Sequence, residues 1–290
     1  MNEPKSSMKK IILPLFFATS WLAMAQNAKL ELGDPDLSTD IETPSTLAVS
    51  LKDVAAGIEI VGMQFDIVYA NTLASPGIPT LPDGTNHEID VRLVENGRYR
   101  VMVYSPTNAT LPEPYSVDLR FGFTEEAPDG GPAMRLEKLV LAGSDGSKIV
   151  ATEAYGPIGG WRKANFSDEA WNNKTTGGDS GDADKDGFSN IEEFYFDTDA
   201  KSADSNTTSM VQGAIVSDNS GGKVLRLTWS GKKAAGVKAV VYGGGDPANL
   251  TDVIAEEVVD SSNVDVNKLK AEQDVKDAKA YFMEIRVERE

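Results

Sequence analysis

The sequence predicts a mainly β protein, with one large and one small sandwich joined by a loop-helix connector. Three observations predict it. Strand-length runs rich in β-branched and aromatic residues recur along the chain. Turn-forming clusters such as ASPGIPTLPDGTN, ENG and APDGGP separate them. No stretch of helical period interrupts the first half, and regular short strands without helices pack as sheet on sheet.

Taken in order, residues 1–25 read as an export signal. Lys9 and Lys10 precede a mostly apolar run, Ile11 to Ala23, and Ala23-Met24-Ala25 supplies a small-x-small cleavage pattern before Gln26. Met8 is an alternative initiator. The run is shorter than the roughly 20 apolar residues of a spanning helix, and no cysteine follows it for lipid attachment. The mature protein is therefore expected to be exported (extracellular, cell-surface or periplasmic) without inserting in a membrane. The 290 residues contain no Cys and carry a net charge of −17. The two domains must then be held by buried cores rather than disulfides. Nucleic acid and anionic membrane surfaces are poor partners for such a charge.

The first sandwich is assigned to 26–153. Its strands are TLAVSLKD (46–53), IEIVGMQFDIVYA (58–70), IDVRLV (89–94), RYRVMVYS (98–105), YSVDLRFGF (115–123) and MRLEKLVLAG (134–143). Leu119, Phe121 and Phe123 share one face by alternation, as do Tyr99, Val101 and Val103. His87, in PDGTNHE, is expected as a solvated loop residue. Residues 154–205 form the connector: EAYGPIGGW as a linker, SDEAWNN as a helical turn capped by Ser167, and then an acidic loop. Residues 206–290 form the small β domain, with strands at 223–230, 237–243, 251–259 and 279–288. In the last of these Tyr281, Met283, Ile285 and Val287 face one way. The segment 266–278 is expected as a short helix.

The stretch GGDSGDADKDGFSNIEEF (177–194) carries the chemistry. Its first half is similar to the surroundings of a serine-protease nucleophile, Ser180. That chemistry needs a histidine base, and only His87 exists, in the other domain. Asp182 would also set a carboxylate beside a developing oxyanion, the wrong sign of charge. The second half is a metal loop. Asp182, Asp184 and Asp186 fall at positions 1, 3 and 5, Gly187 at 6, Phe188 (through its carbonyl) at 7, Asn190 at 9 and Glu193 at 12. Alternate residues of a tight loop converge on one point, and Gly187 takes the positive φ that reverses the chain. Such an oxygen set suits Ca²⁺. Ile191, Phe194 and Tyr195 give the exit helix an apolar face. Upstream, TTGGDSG leaves no room for an entering helix, so the loop reads as a structural brace.

Residues 182–205 resemble the calcium repeats of exported bacterial proteins, related to thrombospondin type-3 repeats and dockerins. A dockerin carries two such segments, usually with Asp at position 12; here there is one, with Glu. Residues 28–152 resemble a cohesin-type (jelly-roll) sandwich through GMQFDIVYA (62–70), GRYRVMVYS (97–105), LRFGF (119–123) and LVLAGSDGSKI (139–149). That resemblance implies a non-catalytic, extracellular scaffold module that binds dockerins in polysaccharide-degrading assemblies. The C-terminal strands resemble the small β domain that follows such loops in exported bacterial proteins.

Three functional classes stay open: a binding or scaffold module for a dockerin-like protein or polysaccharide, a purely structural surface protein, and a carboxylate-based glycosidase. A sugar platform on the first sandwich would rest on Tyr69, Tyr99, Tyr104 or Tyr115.

Overall fold

The computed structural model describes residues 28–37, 44–203, 211–217, 222–231, 236–256, 267–274 and 281–289. The expected leader, 1–25, lies outside the described residues. Among those described, no helix is long and apolar enough to cross a membrane.

Among the described residues, ten strands build the first unit: β1 (Ala28–Leu32), β2 (Ser45–Lys52), β3 (Ile60–Tyr69), β4 (Ala74–Pro76), β5 (Glu88–Glu95), β6 (Arg98–Tyr104), β7 (Tyr115–Phe123), β8 (Met134–Gly143), β9 (Lys148–Ile149) and β10 (Ala151–Tyr155). They form two five-stranded sheets, ordered β10-β1-β2-β7-β4 and β5-β6-β3-β8-β9. Every pairing is antiparallel except that of β1 with β10, which brings the two ends of the unit together in parallel. The alternation read from sequence decides which residues face inward. Val117, Leu119 and Phe121 on one sheet meet Phe65, Ile67, Val101 and Leu141 on the other, all buried in one core. Each such side chain removed from water contributes on the order of 1.5–3 kcal/mol.

The linker expected over EAYGPIGGW is instead β10 followed by a helix, α1 (Pro157–Asn165). Two contacts explain it. Residues 151–155 add a parallel strand to β1, and Asp34 caps α1 from the far side of the sequence. Its carboxylate accepts the backbone N–H of Ile158 at 3.0 Å and of Gly159 at 2.6 Å. The N-cap residue itself, Gly156, has no side chain to offer. A single turn, α2 (Asp168–Trp171), follows with the Ser167 cap in place.

The C-terminal unit holds two three-stranded sheets, β11-β12-β15 and β14-β13-β16. The strands are β11 (Val211–Ser217), β12 (Lys223–Gly231), β13 (Val237–Gly244), β14 (Asp252–Glu256), β15 (Asn267–Asp274) and β16 (Phe282–Arg289). Met283, Ile285 and Val287 face inward as their alternation requires, onto Trp229, Val237, Ala239 and Val241. The helix expected over 266–278 is corrected. Its described part, Asn267–Asp274, is a strand paired antiparallel with β12 over eight residues. Pairing with an open strand has overridden the helix propensity of KLKAEQ.

Candidate metal centre and sheet face

Between the two units lie a single helical turn, α3 (Lys174–Gly177), the acidic loop, and the exit helix α4 (Asn190–Phe196). The turn α3, capped by the Asn173 side chain, occupies the place where no entering helix was expected. The loop folds on its own carboxylates. Asp182 accepts the N–H of Lys185 at 2.7 Å and of Gly187 at 3.1 Å; Asp184 accepts that of Asp186 at 3.2 Å, and Asp186 that of Phe188 at 3.0 Å. Gly187 has φ +98°, with open space where a Cβ would sit. Ser189 and Glu192 close a capping box at the start of α4.

These turns bring one carboxylate oxygen each of Asp182, Asp184 and Asp186 within 4.8 Å of one another, a group that could hold a metal ion. Glu193 stands outside that tight group but is fully buried, and neither of its oxygens has a hydrogen-bond partner. Burial, and then the charges of Asp184, Asp186 and Asp182, push its carboxyl up to about 8. Burial and the same neighbours raise Asp184 as well, and one of its oxygens is buried without a partner. A buried carboxylate with both oxygens unpartnered beside three others is unfavourable unless a cation or proton compensates. That is the observation by which the residues fit a metal ion.

Asn190 is held differently from a simple ligand. Its amide nitrogen donates to the carbonyls of Thr176 and Gly178, both at 2.6 Å, tying the helix start to α3, while Oδ1 is buried and unpartnered. Ser180 donates its backbone N–H to Asp129 at 3.0 Å. His87 is not solvated. It is buried between Thr85 and the Ala109 carbonyl, at 2.9 and 3.0 Å, and stacks edge-on to Tyr115. A donor and an acceptor for its two ring nitrogens explain why a polar ring can be buried there.

The outward face of the β5-β6-β3-β8-β9 sheet is ordered in cross-strand rows. Arg92, Arg100, Asp66 and Glu137 stand side by side on four strands. The next row outward is Asp90, Met102, Gln64 and Val140, and beyond it Glu88, Tyr104, Gly62 and Ala142. Tyr104 is 45% exposed, between Gly62, which is too small to cover it, and Glu88, to which its hydroxyl donates at 2.8 Å. At Gly62 a Cβ would come within 2.9 Å of the Val103 carbonyl. The other three tyrosines considered for a sugar platform, Tyr69, Tyr99 and Tyr115, belong to the core.

The charged row is anchored by Asp66, which is only 1% exposed. Burial pushes its carboxyl up, but Arg100, at 2.6 and 3.0 Å, and Arg98, at 3.3 Å, outweigh it and hold it below the usual range. Asp66→Ala should therefore cost about 1.5–3 kcal/mol, the range for hydrogen bonds to charged groups, read as a lower urea midpoint at neutral pH. The difference from wild type should shrink as pH falls through the carboxylate range, because the bonus of a depressed acid is lost on protonation.

Sequence reading missed Asp129, Arg162, Asp179 and Arg289, which meet beneath the loop. Arg162 is 1% exposed. It donates to the carbonyls of Gly130 at 3.1 Å and Asp129 at 3.2 Å, and to Asp179. Arg289 grips the same Asp179 carboxylate at 2.5 and 3.1 Å.

No protein-family model matches the sequence, and no curated protein does. Among solved structures, the chain is similar to the sixth cohesin of scaffoldin B from Acetivibrio cellulolyticus, solved in complex with a dockerin. That likeness has 14% identity and a TM-score of 0.35, over 43% of this chain and 94% of that one. It is also similar to a non-cellulosomal cohesin from the archaeon Archaeoglobus fulgidus, at 13% identity and a TM-score of 0.34, over 44% and 86%. A third is the cohesin module of a family 33 glycoside hydrolase from Clostridium perfringens, at 11% identity and a TM-score of 0.31, over 43% and 94%.

Proposed function

We propose that the protein is an exported, non-catalytic binding module whose ligand docks on the outward face of the β5-β6-β3-β8-β9 sheet, and that its connector carries one structural Ca²⁺. The observation that carries the binding reading is the row order of that face. An exposed tyrosine beside Gly62 stands two rows from a charged row in which Asp66, Arg100 and Glu137 are held by ion pairs, so a flat patch is presented with little side-chain entropy left to lose. The cohesin-type motifs of the sequence support a dockerin-like protein as partner, with a polysaccharide as the second ligand class. Among the described residues, the carboxylates pushed upward are Asp184 and Glu193, both in the acidic loop. This favours binding over carboxylate catalysis on the sandwich. Calcium would be held by Asp182, Asp184, Asp186, the Phe188 carbonyl, Asn190 and Glu193, and hard oxygen donors in that number suit it. The apolar run at residues 11–23 supports export.

The test is a calorimetric titration of the mature chain, in calcium, with a panel of dockerin modules and soluble polysaccharides. Saturable binding to a dockerin module is expected, weakened at least tenfold by Tyr104→Ala, as for an aromatic anchor at an interface centre. Binding that ignores Tyr104→Ala would remove the assigned face. No binding to either panel would leave a structural spacer.

A further inference from the structure

The acidic loop sits where the two units meet, and it touches both through separate sets of contacts. Toward the first unit, Asp179 donates its N–H to the Asp129 carbonyl at 3.0 Å, and Ser180 donates its own to the Asp129 carboxylate at 3.0 Å. Arg162 on α1 hydrogen-bonds the 129–131 turn and the Asp179 side chain together. Trp171 and Asn172 add bonds to Gly131 and Ala133, at 3.0 and 2.8 Å. Toward the second unit, Arg289 at the end of β16 completes the grip on Asp179. The exit helix α4 contributes Ile191, Phe194 and Tyr195 to that unit's core. The loop closes on itself between these anchors: Ile191 donates its N–H to the Asp179 carbonyl at 3.1 Å, and Asn190 to that of Gly181 at 2.7 Å.

We propose that cation binding by the 182–193 loop and docking of the C-terminal unit on the first sandwich are one coupled equilibrium, with Asp179, Arg162 and Arg289 as the positioning residues that couple them. This rests on the metal reading above and goes beyond a local brace. The physical reason is that the loop stem has one shape compatible with both anchors. A cation drawing Asp182, Asp184, Asp186 and Glu193 together fixes the start of α4 relative to Asp179, and Asp179 is the one carboxylate that both arginines share. Without the cation, the crowded carboxylates repel, the stem loosens, and the arginines lose the geometry of their shared partner. Linkage is reciprocal: whatever docking gains from the ion, ion affinity gains from docking. Packing at the grip is tight. A Cβ on Gly130, whose φ is +84°, would come within 2.5 Å of Arg162 Nη2, 2.6 Å of Arg289 Nη2 and 2.7 Å of Asp179 Oδ1.

The chain has no cysteine, so spin labels at Asp83→Cys and Asp246→Cys report the distance between the units without background. Calcium affinity of the full mature chain is measured in parallel for wild type, Arg289→Ala and Arg289→Lys. We expect Arg289→Ala to weaken calcium binding about tenfold, within the usual range of coupling between sites, and Arg289→Lys to recover part of it. Chelator should broaden the wild-type distance distribution, and Arg289→Ala should broaden it even in calcium. If wild type binds calcium, Arg289→Ala binds it equally and the distance stays narrow in chelator, the coupling is wrong and the metal site stands. If wild type binds no calcium at all, both fall.

Discussion

Glu193→Gln is expected to abolish calcium binding and, in the same protein, to erase most of a pH dependence of the chelated wild type. Both effects come from one side chain. Glu193 is fully buried with two unpartnered oxygens, and burial together with Asp184, Asp186 and Asp182 pushes it up to about 8. In the unfolded chain it titrates near the ordinary glutamate value of 4.5. Between those two values the folded protein holds a proton that the unfolded protein has released. Stability of the metal-free protein therefore falls as pH rises from about 4.5 to about 8. Calcium replaces the proton and reverses the trend, since only the deprotonated loop coordinates and only the folded loop binds. Glutamine keeps the shape, cannot ionise, and offers one weak oxygen in place of a bidentate carboxylate.

Thermal unfolding at pH 5 and pH 8, in chelator and in calcium, separates the cases. Wild type in chelator should melt lower at pH 8 than at pH 5, and calcium should raise it most at pH 8. Glu193→Gln should lose the calcium response at both pH values and most of the pH response, the raised Asp184 leaving a smaller one of the same sign. Asp186→Ala should lose calcium as well, and Ser180→Ala should lose nothing, since it keeps the backbone N–H that Asp129 accepts. A chelated wild type that grows more stable from pH 5 to pH 8 would show that Glu193 is not held neutral in the empty loop.

What could be read from the sequence, and what could not, follows from the range of the interactions involved. The strands at 98–104 and 115–123 were legible because their period of two is written in consecutive residues: Tyr99, Val101 and Val103 inward, Arg98, Arg100 and Met102 outward. The group of Asp182, Asp184 and Asp186 was legible for the same reason, since five consecutive residues contain it. Helix α1 was not, because its cap, Asp34, lies 124 residues before the N–H group of Ile158 that it accepts. The burial of His87 depends on Ala109, 22 residues on, and nothing in PDGTNHE announces it. For β15, local preference pointed to helix and an available edge of β12 decided otherwise. The grip on Asp179 spans 110 residues to Arg289. Its only sequence trace is Gly130, whose missing Cβ leaves room for two guanidinium groups.

Tyr195→Ala is expected to unfold the C-terminal unit while leaving the first sandwich standing. Tyr195 is the fully buried residue through which α4 enters that unit. Its ring lies directly against Gly231 of β12, where a Cβ would overlap it, and its hydroxyl accepts the indole N–H of Trp229 at 3.1 Å. Truncation leaves a cavity costing about 3–5 kcal/mol, and the stranded Trp229 N–H adds about 1–3 kcal/mol. A small unit of two three-stranded sheets has little stability in reserve against a loss of that size. Urea unfolding followed by far-ultraviolet circular dichroism should show the C-terminal unit's transition moved to the lowest denaturant, or lost, with a later transition of the first sandwich retained. Tyr195→Phe keeps the ring and should lose only about 1–3 kcal/mol, the cost of the stranded Trp229 N–H. A Tyr195→Ala protein with a wild-type unfolding curve would mean that α4 is not part of that core. The same packing bears on the partner question. Ile191, Phe194 and Tyr195, the apolar face through which a loop-helix of this kind could dock on another protein, are already committed to the chain's own C-terminal unit. The exit helix therefore works inward, which is why the proposed docking of a partner is placed on the sheet face around Tyr104 and not on α4.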